Sequence, residues 1–138
     1  MYKISTRGQY VMTELAELPE GKFISLKLLS HRHNLSVKYL EQILIQLSKA
    51  KLVAGVRGSN GGYRLVKKTD EYTTGEILRA LEGDLSPVGE SNNNVISNVG
   101  NDDYWKDFEN VINNYVDSVT LETLVEKNRS DIGEMYYI

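Results

Sequence analysis

Between Ser36 and Ala50 the chain reads SVKYLEQILIQLSKA, and this segment narrows the choice of fold more than any other. Leu40, Ile43, Leu44 and Leu47 recur at the spacing of a helix with one buried face. Lys38, Gln42 and Lys49 fall on the opposite face, with Glu41 beside them. Ser36 is placed to cap this helix. Just before it, a helix opening at Ser25 and carrying Leu26 and Leu29 is expected to stop near Asn34, a residue that tolerates left-handed backbone. Two short helices in close succession, the second with a polar first turn, form the helix-turn-helix pattern. In that motif the first turn of the second helix reaches base edges in the major groove. An ordinary helical hairpin has the same pattern, so on this evidence alone DNA binding stays open.

The next stretch, VRGSNGGYRLV, gives the pattern a context. Leu52 to Arg57 alternates as a strand, GSNGG turns, and Tyr63 to Val66 returns. Gly58, Gly61 and Gly62 read as turn residues that supply positive φ. A hairpin placed directly after a helix-turn-helix is a wing. Arg57 at its lip is either a solvated charge or a cation poised for the narrow minor groove, and the second reading is adopted. A phosphate-cradling loop is disfavoured, because no Lys-Ser/Thr pair follows the glycines and no helix follows directly.

Charge is divided along the chain. Residues 1–68 carry twelve Lys and Arg against four Asp and Glu, a balance of +8, whereas residues 69–138 carry four against fifteen, −11. The division is either two solvated faces or a basic half that meets a polyanion.

Thr6 to Gln9 has the form of a capping box for a first helix with Val11, Met12, Leu15 and Leu18 on one face, ended by Pro19 and Gly21. After the wing, TTGEILRALEG predicts a helix capped by Thr73 or Thr74, with Ile77, Leu78 and Leu81 apolar. Residues 84–102, rich in Asn, Ser and Gly, read as a mobile linker. A long helix then carries Tyr104, Trp105, Phe108, Val111, Ile112, Tyr115, Val116 and Val119 at helical spacing. Packing onto its own domain would explain that stripe. A two-chain interface through Trp105, Phe108, Val111, Ile112, Tyr115 and Val119 is preferred, since small DNA readers pair to match two half-sites. Thr120 is expected to cap a short last helix through Leu121, Leu124 and Val125, followed by the tail GEMYYI.

The expected class is mainly α with a small β wing: a winged helix-turn-helix domain over 1–83, a linker over 84–102, and a dimerisation helix with tail over 103–138. The 138 residues, 41% apolar and 25% charged, suffice for one real core. With no apolar run of about 18 residues and no signal peptide, a cytoplasmic protein is expected. Cysteine is absent, which excludes disulfides and thiolate chemistry. Without a nucleophile–base pair or a phosphate loop, no enzyme is expected. The competing class is a winged-helix module that binds protein through its basic half.

Five motifs in order, KISTRGQY, LSVKYLEQIL, LVAGVRGSNGGYRL, GEILRALEG and TLETL, resemble the Rrf-two family of bacterial winged-helix regulators over most of the chain. The resemblance implies a homodimeric regulator of a palindromic operator, with Lys38, Tyr39, Glu41 and Arg57 at positions the family uses at DNA. Arg7, Ser36, Val37, Gln42, Gly58, Ser59 and Asn60 complete the expected DNA-binding set. Many members hold an iron–sulfur cluster with cysteines in the segment corresponding to 84–102; this chain has none, and no cofactor or metal is expected. His31 and His33 are read as surface residues on different faces of their helix. Gln9 stands where members often carry a basic residue. SPV, TLE and the final YI are similar to the cluster-free branch of cysteine-metabolism repressors, which works with O-acetylserine sulfhydrylase (cysteine synthase) as its sensor. That similarity implies one of two fates for Tyr137 and Ile138: folding back on the dimer helices, or insertion into the sulfhydrylase with the Ile138 carboxylate captured. Another effector, redox or stress related, is the alternative.

Overall fold

The computed structural model describes residues 3–58, 61–85 and 99–137. Helices α1 (Lys3–Ala16), α2 (Leu26–His33) and α3 (Val37–Lys49) lead into strands β1 (Val53–Val56) and β2 (Gly62–Leu65). A 3-10 turn at Thr69–Glu71 follows, then α4 (Thr74–Glu82), α5 (Val99–Ser118) and α6 (Leu121–Tyr137). This is the expected class, helices around one small hairpin.

The helix-turn-helix is fixed by its ends. Ser25 and Ser36 each accept a hydrogen bond at 3.1 Å from an amide three residues on, Leu28 and Tyr39. Asn34 takes the left-handed conformation at φ 51°, and the Leu35 amide donates to the Ser30 carbonyl at 3.1 Å, closing α2. Lys51 repeats the device after α3 at φ 62°, with the Leu52 amide on the Leu47 carbonyl at 2.9 Å. That reversal costs about 1–2 kcal/mol for a residue other than glycine, and it swings the chain out of α3 into β1. Leu40, Ile43, Leu44 and Leu47 are fully buried, as their spacing predicts.

Two helix limits depart from expectation. α1 starts at Lys3, so Thr6 lies inside the helix and is not its cap. The Ser5 amide, one of the N–H groups a helix start leaves unpaired, donates instead to Glu82 Oε1 of α4 at 3.3 Å, and Ser5 is fully buried. α6 continues to Tyr137, well past Val125. Arg129 forks onto Glu17 of α1, its Nε and Nη2 each 3.1 Å from a carboxylate oxygen, and this docks the second half of α6.

Both ends of the segment 84–102 differ from a loop. Leu85 is buried, and residues 99–102 already belong to α5; residues 86–98 lie outside the described residues. Leu121 and Val125 share one core with Val11, Met12, Leu44 and Ile77. The expected boundary at 102/103 therefore divides chain segments and not cores. His33 is half-buried, against expectation, because Glu14 of α1 pairs with both Arg32 and His33.

β1 and β2 are antiparallel, with Val53 opposite Leu65 and Val56 opposite Gly62. β1 is shorter than the expected Leu52–Arg57, and β2 keeps the expected length but starts one residue before Tyr63 and ends one before Val66; Leu52 and Val66 are engaged at the hairpin's root. There, the fully buried Tyr72 donates its hydroxyl to the Leu52 carbonyl at 2.7 Å. The same oxygen accepts from the Val66 and Lys67 amides at 2.9 and 3.1 Å. Among the described residues no helix is long and apolar enough to cross a membrane.

Tyr72→Phe removes three hydrogen bonds and nothing else. It should lower stability by about 1–3 kcal/mol, read as a lower urea midpoint at unchanged slope. Hydrogen exchange at the Val66 and Lys67 amides should quicken. An unchanged midpoint would mean that water replaces all three bonds.

Candidate nucleic-acid interface

The first turn of α3 presents Val37, Lys38, Glu41 and Gln42 to solvent, directly opposite the buried stripe. Val37 is 47% exposed, where its methyl groups are free to meet an apolar partner such as a thymine methyl. Two expected readers are differently disposed. Ser36 uses its oxygen to cap the helix, and Tyr39 is half-buried against the core. Arg7 is exposed on α1, a separate element from α3 and the wing.

Arg57 is exposed at the end of β1. Gly58, at φ 116°, holds a conformation that favours glycine, and the Gly61 amide donates to its carbonyl at 3.1 Å to close the turn. Ser59 and Asn60 lie outside the described residues. Gly62 has positive φ, 159°, as expected, and a second role beside it. The Ile24 amide and carbonyl pair with Tyr63 on the outer edge of β2, at 3.1 and 2.8 Å, and a Cβ on Gly62 would collide with the Ile24 carbonyl. Gly61 likewise leaves room for the Val56 carbonyl and does not have positive φ. Among the described residues neither Lys38, Glu41 nor Arg57 enters an ion pair.

α5 carries an exposed aromatic face. The Tyr104 and Trp105 rings meet edge to face at 5.1 Å, and Trp105 meets Phe108 at 5.7 Å. Val111 and Tyr115 extend the face and are 68% and 66% exposed. Ile112 is half-buried, while Val116 turns into the molecule and is buried. Val119 lies beyond the helix, where its carbonyl accepts from the Thr74 amide at 2.8 Å; it belongs to the α5–α6 corner and not to the stripe.

A family model described as Rrf2, iron-dependent transcriptional regulator, matches residues 4–127. The chain belongs to the Rrf2 family. It is 39% identical to the HTH-type transcriptional regulator CymR of Bacillus subtilis (strain 168), over 99% of both chains. The solved structure of CymR, the global cysteine regulator of B. subtilis, superposes with a TM-score of 0.79 at 35% identity, covering 92% of this chain and 96% of that one. T. potens IscR superposes with a TM-score of 0.76 at 30% identity, covering 93% and 87%. This Rrf2 chain is a winged helix-turn-helix transcriptional regulator, and its relatives are regulators and not enzymes.

The family description includes iron, and the donor set here does not fit a thiolate-held cluster. The chain has no cysteine, and among the described residues no group of three His, Asp or Glu is placed to hold a metal ion. Three residues near Arg57 were left out of the expected DNA-binding set, although Lys49 was already read on the outer face of the helix. Ile45, Ser48 and Lys49 continue the outer face of α3 beyond Gln42, and together with Val56, Arg57 and Tyr63 they line one groove between α3 and the wing. The signal was present, since positions 38, 41, 42, 45, 48 and 49 follow the same helical period.

Proposed function

We propose that this Rrf2 regulator is a cytoplasmic homodimeric repressor of sulfur-metabolism genes that reads a palindromic operator without an iron–sulfur cluster. One observation carries the reading: a capped helix with its apolar face fully buried turns Val37, Lys38, Glu41 and Gln42 outward, beside a wing that presents an exposed Arg57 with no ion pair among the described residues. Val37, Glu41 and Gln42 carry base readout, and Lys38 makes a phosphate contact. Arg57, with Gly58, Ser59 and Asn60 at the wing tip, enters the minor groove. Arg7 and the Ser36 hydroxyl add backbone contacts, and Tyr39 supports the helix from behind. Sulfur control comes from the similarity to CymR.

Operators selected from random DNA test the readers. Arg57→Ala should cost roughly 1–3 kcal/mol of specific binding. Glu41, an acid facing phosphates, is worth keeping only if it accepts from a cytosine amino group. Glu41→Ala should therefore bind as well or better, with relaxed preference at one position. Unchanged affinity in the first variant, or unchanged preference in the second, removes that residue from the readers.

The second copy covers Trp105, Phe108, Val111, Ile112 and Tyr115, and sets recognition helices about 34 Å apart, one DNA turn. A solvent-facing aromatic cluster of this kind marks an association surface. Sedimentation should give a dimer for the native chain at micromolar concentration and a monomer for the double variant Trp105→Glu, Phe108→Glu. A native monomer would remove the basis for a palindromic operator.

The sensor partner proposed is O-acetylserine sulfhydrylase, engaged by Tyr137 and Ile138; the resemblance to the cluster-free branch supports this. Tyr137 ends α6, with its side chain outside the described residues, as is Ile138. In calorimetry with the sulfhydrylase, deleting Ile138 should abolish binding and O-acetylserine should displace the intact chain. Equal affinity for the truncated chain would show that the tail is structural.

A further inference from the structure

A cleft of about 560 Å³ lies between the turn that joins α1 to α2 and the stretch that runs from β2 into the 3-10 turn. Part of its lining is aliphatic, from Leu15, Leu18, Leu65 and Val66, and Val66 is 44% exposed. Each side also carries both signs of charge: Glu20 and Lys22 on the first turn, Lys68 and Glu71 beside and within the 3-10 turn. Arg64 of β2 adds a guanidinium whose carbon stands 5.4 Å from the centre of the Phe23 ring. That stacking orders the group and leaves its N–H edge available. Among the described residues none of these five charges enters an ion pair. Lys67, also in the lining, is by contrast taken by Glu76 at 3.0 Å.

The charges select the ligand. A simple anion would meet the cations but face two carboxylates, and a simple cation would face the guanidinium and two ammonium groups; each carries a Coulomb cost. A small zwitterion meets both signs. An α-amino acid with an aliphatic side chain has the required layout. Its carboxylate suits the paired N–H groups of Arg64, its ammonium suits Glu20 or Glu71, and its side chain suits the leucines and Val66. The cleft has the volume of a small-molecule site.

We infer that this cleft is an effector site for a free aliphatic α-amino acid, with Arg64 as the carboxylate anchor. Its output runs through the wing. The Val66 and Lys67 amides, which border the cleft, are the two that Tyr72 holds from the core side. A ligand that ties Arg64 to the α1–α2 turn holds the root of the same hairpin from outside. A zwitterion adds no net charge to the basic half, so it raises operator affinity by ordering the wing and not through charge. This output rests on the DNA-reading role of the wing proposed above; occupancy of the cleft does not.

The test titrates the full chain with L-leucine and follows backbone amide shifts by NMR. Saturable shifts should gather at Gly21, Lys22 and Arg64 to Thr69. 4-Methylpentanoate, which lacks the ammonium, and 3-methylbutylamine, which lacks the carboxylate, should each bind about tenfold more weakly, the scale of one lost charge-assisted hydrogen bond. Arg64→Gln, and separately the double variant Glu20→Gln, Glu71→Gln, should weaken leucine binding to the same degree. Lys106→Gln, which removes an exposed cation from α5, should not. Thermal melts confirm folding of each variant. Saturating leucine should raise operator affinity about fivefold or more, the lower end of ordinary allosteric coupling. No saturable shifts, or equal binding of 4-methylpentanoate and leucine, overturns the amino-acid site and leaves the DNA-reading role standing. Saturable shifts with unchanged operator affinity overturn the effector role. If the native chain binds no duplex, the DNA-reading role falls and the effector role falls with it, whatever the shifts show.

Discussion

The hydroxyl of Tyr72 is the joint on which the position of the wing depends. It is buried with three partners: the carbonyl of Leu52, where the chain leaves α3 for β1, and the amides of Val66 and Lys67, where β2 ends. A two-stranded hairpin is marginal by itself in water. This one is held because a single oxygen gathers both of its roots and because Ile24 pairs with its outer edge. Lys67 completes the joint from outside, its ammonium 4.7 Å from the centre of the Tyr72 ring and 3.0 Å from Glu76. Arg57 therefore stands on a base fixed to the core, which a minor-groove contact requires.

The parts of this arrangement that were legible in the sequence are those encoded locally. α3 was legible because its stripe, its Ser36 cap and the Asn34 reversal all lie within one short span. α1 was misjudged at its start because the group that satisfies its Ser5 amide, Glu82, is 77 residues away. α6 was judged too short because its apolar period stops at Val125, and its continuation is held by Arg129 on Glu17, a pair that no local pattern announces. The wing glycines show the same limit. Positive φ at Gly58 and Gly62 is a property of the turn, whereas the close approach of the Ile24 carbonyl to position 62 comes from a neighbour brought there only by folding. At the candidate site, helical period alone separates Val37, Lys38, Glu41 and Gln42 from the core. That Lys49 shares a groove with Arg57 needed the wing in three dimensions.

Charge follows the same division of labour. Lys38, Lys49 and Arg57 form no ion pair among the described residues, whereas Asp117 in the C-terminal half meets an internal partner. Arg79 of α4 forks onto Asp117 of α5 at 2.6 and 3.0 Å and also reaches Asn113 at 2.8 Å. The guanidinium hydrogen bond holds the Asp117 carboxyl below its usual range, against a small opposing effect of burial. A lowered folded-state value means the pair stabilises the fold above the unfolded carboxylate range, near pH 4, and loses that effect in more acidic solution. Both side chains are more than a third exposed, so solvent screening keeps the contribution small. Its consequence is positional, fixing the aromatic helix against α4.

That position leads back to the wing. The corner between α5 and α6 is stitched to the backbone that follows Tyr72. The Leu121 amide donates to the Tyr72 carbonyl at 3.0 Å, the Thr74 amide to the Val119 carbonyl at 2.8 Å, and the Thr74 hydroxyl to the Val116 carbonyl at 2.9 Å. Leu121 is fully buried, so the corner has no room to slide. One residue thus bonds the wing through its side chain and the α5–α6 corner through its carbonyl. The helix that carries the exposed aromatic face and the hairpin that carries Arg57 therefore share an anchor. A rigid shift of one relative to the other has to break buried hydrogen bonds, each costly to leave unmade in a dry interior. The spacing between the exposed aromatic face of α5 and the wing is, by this chain of contacts, a property of the folded subunit.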